Sequence, residues 1–151
     1  MSETLTAALS HDERSQILAA CERLSLDYSY YADTGRMDVW SELFAEDAEL
    51  VVGDVAQCGR AAILKSVSGP RGEIQPIHAI SNVRIDVVSA TKAAGLVYIT
   101  AYMAPKTKGS ATMATIAPVV VGVYEDAYRK TADGWRFARR AFSPLISGPP
   151  A

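Results

Sequence analysis

The residues best suited to chemistry in this 151-residue chain are Asp33, at the end of a helix-like run, and His78, its one internal histidine. The phenol of Tyr28 lies five positions before the aspartate. A carboxylate accepting from one imidazole nitrogen fixes the tautomer. The other nitrogen is then free to take a proton from carbon or oxygen. A nearby phenol can donate to an oxygen that gains charge, or it can be packing material. Such a set moves protons without a cofactor, provided that the fold joins residues 45 positions apart.

The elements that must position them can be read in order. Ser10-His11-Asp12-Glu13 has the form of a capping box. Ile17, Cys21, Leu24, Tyr28 and Tyr31 then recur at helical spacing, and Gly35 supplies a stop. This stripe also fits Tyr28 and Tyr31 as plain core aromatics. Asp38 is placed to cap a second short helix carrying Val39, Trp40, Leu43 and Phe44. Residues 48–52 and 55–58 read as a hairpin about Gly53-Asp54, and 61–67 as one or two helical turns. From there the period changes to two, giving strand candidates at 77–88, 94–103, 116–129 and 135–142. Residues 89–95 and Asp133-Gly134 form turns, while the polar, small-residue segment 104–115 reads as a mobile loop. Helices first and long strands afterwards predict an α+β fold rather than a parallel nucleotide-binding sheet.

The totals narrow the class. The length suits one domain over 1–151, with a core of about 10–145, and 49% hydrophobic residues predict a packed interior. A formal charge of -2 gives no electrostatic reason to bind nucleic acid or anionic lipid. No apolar run reaches the roughly 18 residues of a membrane span, and the first residues lack the form of a secretory signal. Cys21 and Cys58 are far apart and read as reduced, packed thiols of a cytoplasmic protein. Neither they nor His11 and His78 show metal-ligand spacing, so no metal and no cofactor are expected.

Four stretches carry a family resemblance: Tyr31-Ala-Asp33-Thr-Gly35-Arg-Met-Asp38-Val-Trp40, Leu43-Phe-Ala-Glu-Asp47-Ala48, His78-Ala-Ile-Ser-Asn82 and Asp133-Gly-Trp-Arg-Phe137. In their order and spacing, residues 14–145 resemble the SnoaL-like branch of the nuclear-transport-factor-2-like superfamily. The resemblance implies a cone-shaped roll, with helices packed on a strongly curved, mostly antiparallel sheet around a deep pocket. It also implies a homodimer or homotrimer. Within the branch the chain is similar to bile-acid dehydratases and hexachlorocyclohexane dehydrochlorinase, cofactor-free lyases whose helix-end aspartate and strand histidine match Asp33 and His78. Tyr28 matches an active-site tyrosine of the dehydratases, and Arg140 an active-site arginine of the last strand. An acid of the bile-acid enzymes is missing at Ala101-Tyr102-Met103.

The function expected from this resemblance is an elimination on a small hydrophobic substrate of alicyclic, steroid-like or polyketide-like kind. Asp33 and His78 would form the dyad, with Tyr28 and Arg140 assisting the leaving group. Adjacent strand residues face opposite ways, so only one of Arg139 and Arg140 can point inward. Tyr98, Tyr102, Asn82 and Trp40 are candidate pocket residues, Asn82 as a donor behind His78. Asp47 reads as structural. A double-bond isomerase and a non-catalytic small-molecule-binding module are the alternatives, and the module would lack an Asp33–His78 hydrogen bond.

Overall fold

The first helix begins on a reciprocal cap. The Ser10 hydroxyl accepts from the Glu13 amide at 3.2 Å, and the Glu13 carboxylate accepts from the Ser10 amide at 2.8 Å. Helix α1 (His11–Thr34) ends at Gly35, whose φ of 74° is the left-handed conformation that a side chain disfavours. Its inward stripe buries Ile17, Cys21, Leu24, Ser25, Tyr28, Ser29 and Ala32. In this computed structural model the residues described are 8–70, 74–105 and 120–147.

After α1 come α2 (Met37–Ser41), β1 (Phe44–Val52), β2 (Val55–Cys58), α3 (Arg60–Val67), β3 (Ile74–Ser89), β4 (Lys92–Pro105), β5 (Val120–Thr131) and β6 (Gly134–Ser147). The α+β order is as expected, with local corrections. Arg36, not Asp38, precedes α2, and Asp38 sits in its first turn, where negative charge suits the helix dipole. Phe44 opens β1. The 89–95 turn shrinks to Ala90 and Thr91, with the Thr91 amide donating to the Ser89 hydroxyl at 3.2 Å. Most of the expected 104–115 loop, and 116–119 of the third strand candidate, lie outside the described residues.

The strands form one open sheet in the order β2-β1-β6-β5-β4-β3, antiparallel except for the β1–β6 pair, and it does not close into a barrel. Helix α1 covers one face. Tyr28, Trp40, Phe44 and Phe137 pack there with ring centroids 5.1–6.1 Å apart. Burying a Phe-sized side chain stabilises by about 1.5–3 kcal/mol, so this cluster anchors the helix to the sheet. No helix among the described residues is long and apolar enough to cross a membrane.

Two bulges decide which side chains meet the helix. On β3, His78 and Ile80 pair with Ala101 and Ile99, yet Ile85 pairs with Gly95, so one extra residue is absorbed between Ser81 and Arg84. Asn82 lies in that interval with φ 48°. On β6, Arg140 pairs with Asp126 but Phe137 pairs with Tyr128, leaving Ala138 as the extra residue. Because facing alternates with period two, each bulge switches odd and even positions between faces.

Candidate functional site

Asp33 stands in the last turn of α1, and His78 lies on the edge strand β3. An edge strand leaves backbone donors without a strand partner, and Asp33 supplies one. Its Oδ2 accepts from the His78 amide at 2.9 Å, while its Oδ1 lies 2.5 Å from His78 Nδ1. The carboxylate therefore holds both the backbone and the ring of one residue. The Gln75 side chain adds a donor to the Asp33 carbonyl at 2.7 Å, satisfying a helix-end acceptor. An acid at a helix C-terminus is disfavoured by the dipole, and these bonds offset that cost. With Nδ1–H donating to the carboxylate, Nε2 is the nitrogen left as acceptor. The two side chains are 19% and 17% exposed, so the pair is neither sealed nor freely solvated.

Deeper along α1 lies a second cluster. Arg140 is fully buried and donates to both Asp126 oxygens at 2.8 and 2.7 Å, and to the Ser25 hydroxyl at 3.1 Å. Tyr128 adds its hydroxyl to Asp126 at 2.8 Å. The guanidinium carbon lies 4.3, 4.1 and 4.2 Å from the ring centroids of Tyr28, Tyr124 and Phe137. Burial disfavours its charge, but Asp126 outweighs burial and holds the group protonated. Burial pushes the Tyr28 phenol up, opposed by Arg140 and Tyr124 and reinforced by Asp126. Tyr124 is raised further, by burial and then by Tyr28. These phenols stay protonated at neutral pH and are donors, not bases.

The structure thus joins Asp33 to His78 and Arg140 to Tyr28, but rearranges the other expected residues. Arg140 faces the helix and Arg139 the opposite side, where it ion-pairs with Glu49 at 2.8 Å. Arg140 is enclosed by three rings and a carboxylate and offers no open contact to a leaving group among the described residues. Trp40, expected in a pocket wall, is 2% exposed and packs in the core. Tyr98 and Tyr102 pair with Val123 and Ile77 on the face away from α1, because buried Val97, Ile99 and Ala101 occupy the alternate positions. Asn82 is exposed, and the bulge removes it from the simple alternation that linked it to His78. Asp47 ion-pairs with Arg129 on the surface, in keeping with a structural role. Cys58 is exposed rather than packed.

Asp126 escaped the sequence reading. Its signal was present: Tyr124, Asp126 and Tyr128 share one face of a strand, which places a carboxylate among buried aromatics. Two concavities are bounded by described residues, one around Arg84, Leu96 and Arg139 and the other around Leu9, Ile17 and Trp135, and neither includes the dyad. The deep pocket expected at His78 is not among these concavities, and the strand ends beside His78 lead into 71–73 and 106–119, outside the described residues.

A long helix laid on an open, six-stranded mixed sheet is the α+β arrangement of nuclear-transport-factor-2-like domains. Residues 13–141 match the SnoaL-like domain, and the chain belongs to that family. Its structure is similar to that of a proposed scytalone dehydratase from Novosphingobium aromaticivorans DSM 12444, at 26% identity, TM-score 0.79 and coverage of 92% of this chain and 91% of that one. It is also similar to the hexachlorocyclohexane dehydrochlorinase LinA-type3 of Novosphingobium barchaimii LL02, at 22% identity, TM-score 0.73 and coverage of 94% and 95%. A type 2 LinA dehydrochlorinase gives 20% identity, TM-score 0.75 and coverage of 94% of both chains. No curated protein sequence matches the chain. At such identities the two dehydrochlorinases speak for the fold alone.

Proposed function

We propose that the protein is a cofactor-independent lyase that eliminates water or halide from a small hydrophobic alicyclic, steroid-like or polyketide-like substrate. The observation that carries this reading is the double grip of Asp33 on the amide and Nδ1 of His78. His78 Nε2 takes a proton from carbon, and that C–H electron pair becomes the new double bond. The bond to the leaving oxygen or halogen breaks with its electrons. Asp33 stabilises the imidazolium that forms, and Tyr28 donates to the departing group where that group is oxygen. The dehydratase description of the structural neighbour at 26% identity supports the same reaction class. A binding module has no need of the Asp33–His78 bond.

Turnover of β-hydroxy and β-halo alicyclic compounds by wild type and by His78→Ala tests the proposal. Loss of a positioned base lowers turnover about 10²–10⁴-fold. Full activity in His78→Ala overturns the reading. Double-bond migration without loss of a leaving group assigns the protein to isomerases instead.

A further inference from the structure

The bulge in β3 lies between the histidine and the part of the strand that fixes its register. Ile85 and Val87 pair with Gly95 and Ala93 and pack inward, all at odd positions. Carried back regularly, that pattern would turn Ile77 toward the helix and His78 away from it. The reverse is observed: Ile77 is 45% exposed, and His78 reaches Asp33. The switch occurs where Asn82 adopts φ 48°, the only positive φ outside glycine among the described residues. Asparagine tolerates this conformation better than most side chains, and a β-branched residue strains there. A bulge also bends its strand.

We propose that Asn82 is a positioning residue for His78: its left-handed backbone carries the bulge that turns His78, and not Ile77, toward the helix, so that the His78 amide and ring both meet the Asp33 carboxylate. The side chain of Asn82 touches neither partner; the work is done by its backbone. This inference rests on the Asp33–His78 pairing in the proposed function, but not on the reaction that the pairing performs.

Deleting Asn82 separates positioning from folding. Without it Ser81 abuts Val83, and Ile80, Val83, Ile85 and Val87 still alternate onto the helix side of a straight strand. His78 also keeps its Ala101 partner. The deletion therefore removes Asn82 and the bulge together while leaving His78 on the helix side, and it is the control for a substitution that removes only the positive φ.

The readout is the low-field Nδ1–H proton and the imidazole ¹⁵N shifts of His78 by NMR, with thermal melts alongside. Asn82→Val, strained at positive φ, melts cooperatively but loses the low-field resonance, whereas Asn82→Gly, free to adopt positive φ, retains it, as does the deletion variant. A folded Asn82→Val variant that keeps the resonance overturns the proposal, as does its loss in Asn82→Gly. Should Asn82→Val prevent folding, the deletion decides: resonance kept without the bulge sustains the proposal, and resonance lost from a folded protein overturns it. These outcomes do not depend on any turnover. Absence of the resonance from wild type would instead remove the dyad itself.

Discussion

Two aspartates on the helix-covered side of this sheet each hold a nitrogen partner, and they differ in what is left over. Asp126 and Arg140 are both 0% exposed, and both carboxylate oxygens are taken by Arg140, with Tyr128 adding a third bond. Asp33 and His78 are partly exposed, and among the described residues their bonds leave Nε2 of the ring without a partner. The first pair is a buried charge clamp that fixes β5 to β6 and, through Ser25, to α1, with Nη1 of Arg140 the one guanidinium nitrogen lacking a hydrogen-bond partner among the described residues. The second holds an imidazole ring through one nitrogen at a partly exposed position. Similar carboxylates serve as frame and, under the proposed function, as chemistry because one is buried and the other is not.

Removing one partner of the closed pair has the largest expected effect. Asp126→Ala strands the Arg140 guanidinium in the core and should cost about 3–5 kcal/mol in denaturant melts. The double variant Asp126→Leu/Arg140→Met removes both charges and recovers most of that loss. A small cost for Asp126→Ala would break the contrast, since Arg140 would then have found another partner.

The open pair should be less demanding. Asp33→Asn keeps one acceptor oxygen but presents an amide NH₂ to the second donor, a loss of about 1.5–3 kcal/mol for a bond to a charged group. His78→Ala leaves the backbone amide bond to Asp33 intact, so it costs less stability than Asp33→Asn while removing the imidazole that the proposed function needs. Equal melting of the two variants would show that the ring, and not the backbone, carries the grip.

Much of this was legible in the chain. The capping box, the Gly35 stop, the Asp133-Gly134 hairpin and the α+β order follow from local chemistry, and local chemistry is what neighbouring residues report. The Asp33–His78 contact follows from a helix-end acid that needs a partner and from a family pattern of residues. Facing was harder. The period-two rule assigns sides only along a regular strand, and the bulges at Asn82 and Ala138 interrupt it beside the residues that matter. Tyr98 and Tyr102 were assigned to a pocket for want of that information. Arg140, not Arg139, turns inward because Ala138 is skipped, which nothing in Ala-Arg-Arg announces. The Asp126 clamp required knowing which strand lies beside β6.

Cys21 offers a gentler probe of the closed region. It is fully buried on α1, and burial, followed by the negative charge of Asp126, pushes its thiol up to about 12 from an ordinary value of 9.0. A raised acid in the folded state means that the unfolded chain loses its proton first. The contribution is therefore fully present below about pH 9 and is lost as pH rises toward 12. Tyr28, Tyr124 and Tyr128 are raised as well and add to the same alkaline decline. Cys21→Ala isolates the thiol: its stability deficit relative to wild type should be constant below pH 9 and should narrow above it, whereas exposed Cys58→Ala should show no such narrowing. A deficit for Cys21→Ala that stays constant through pH 11 would mean that water reaches this part of the helix, and the boundary between the closed and open regions would have to be redrawn.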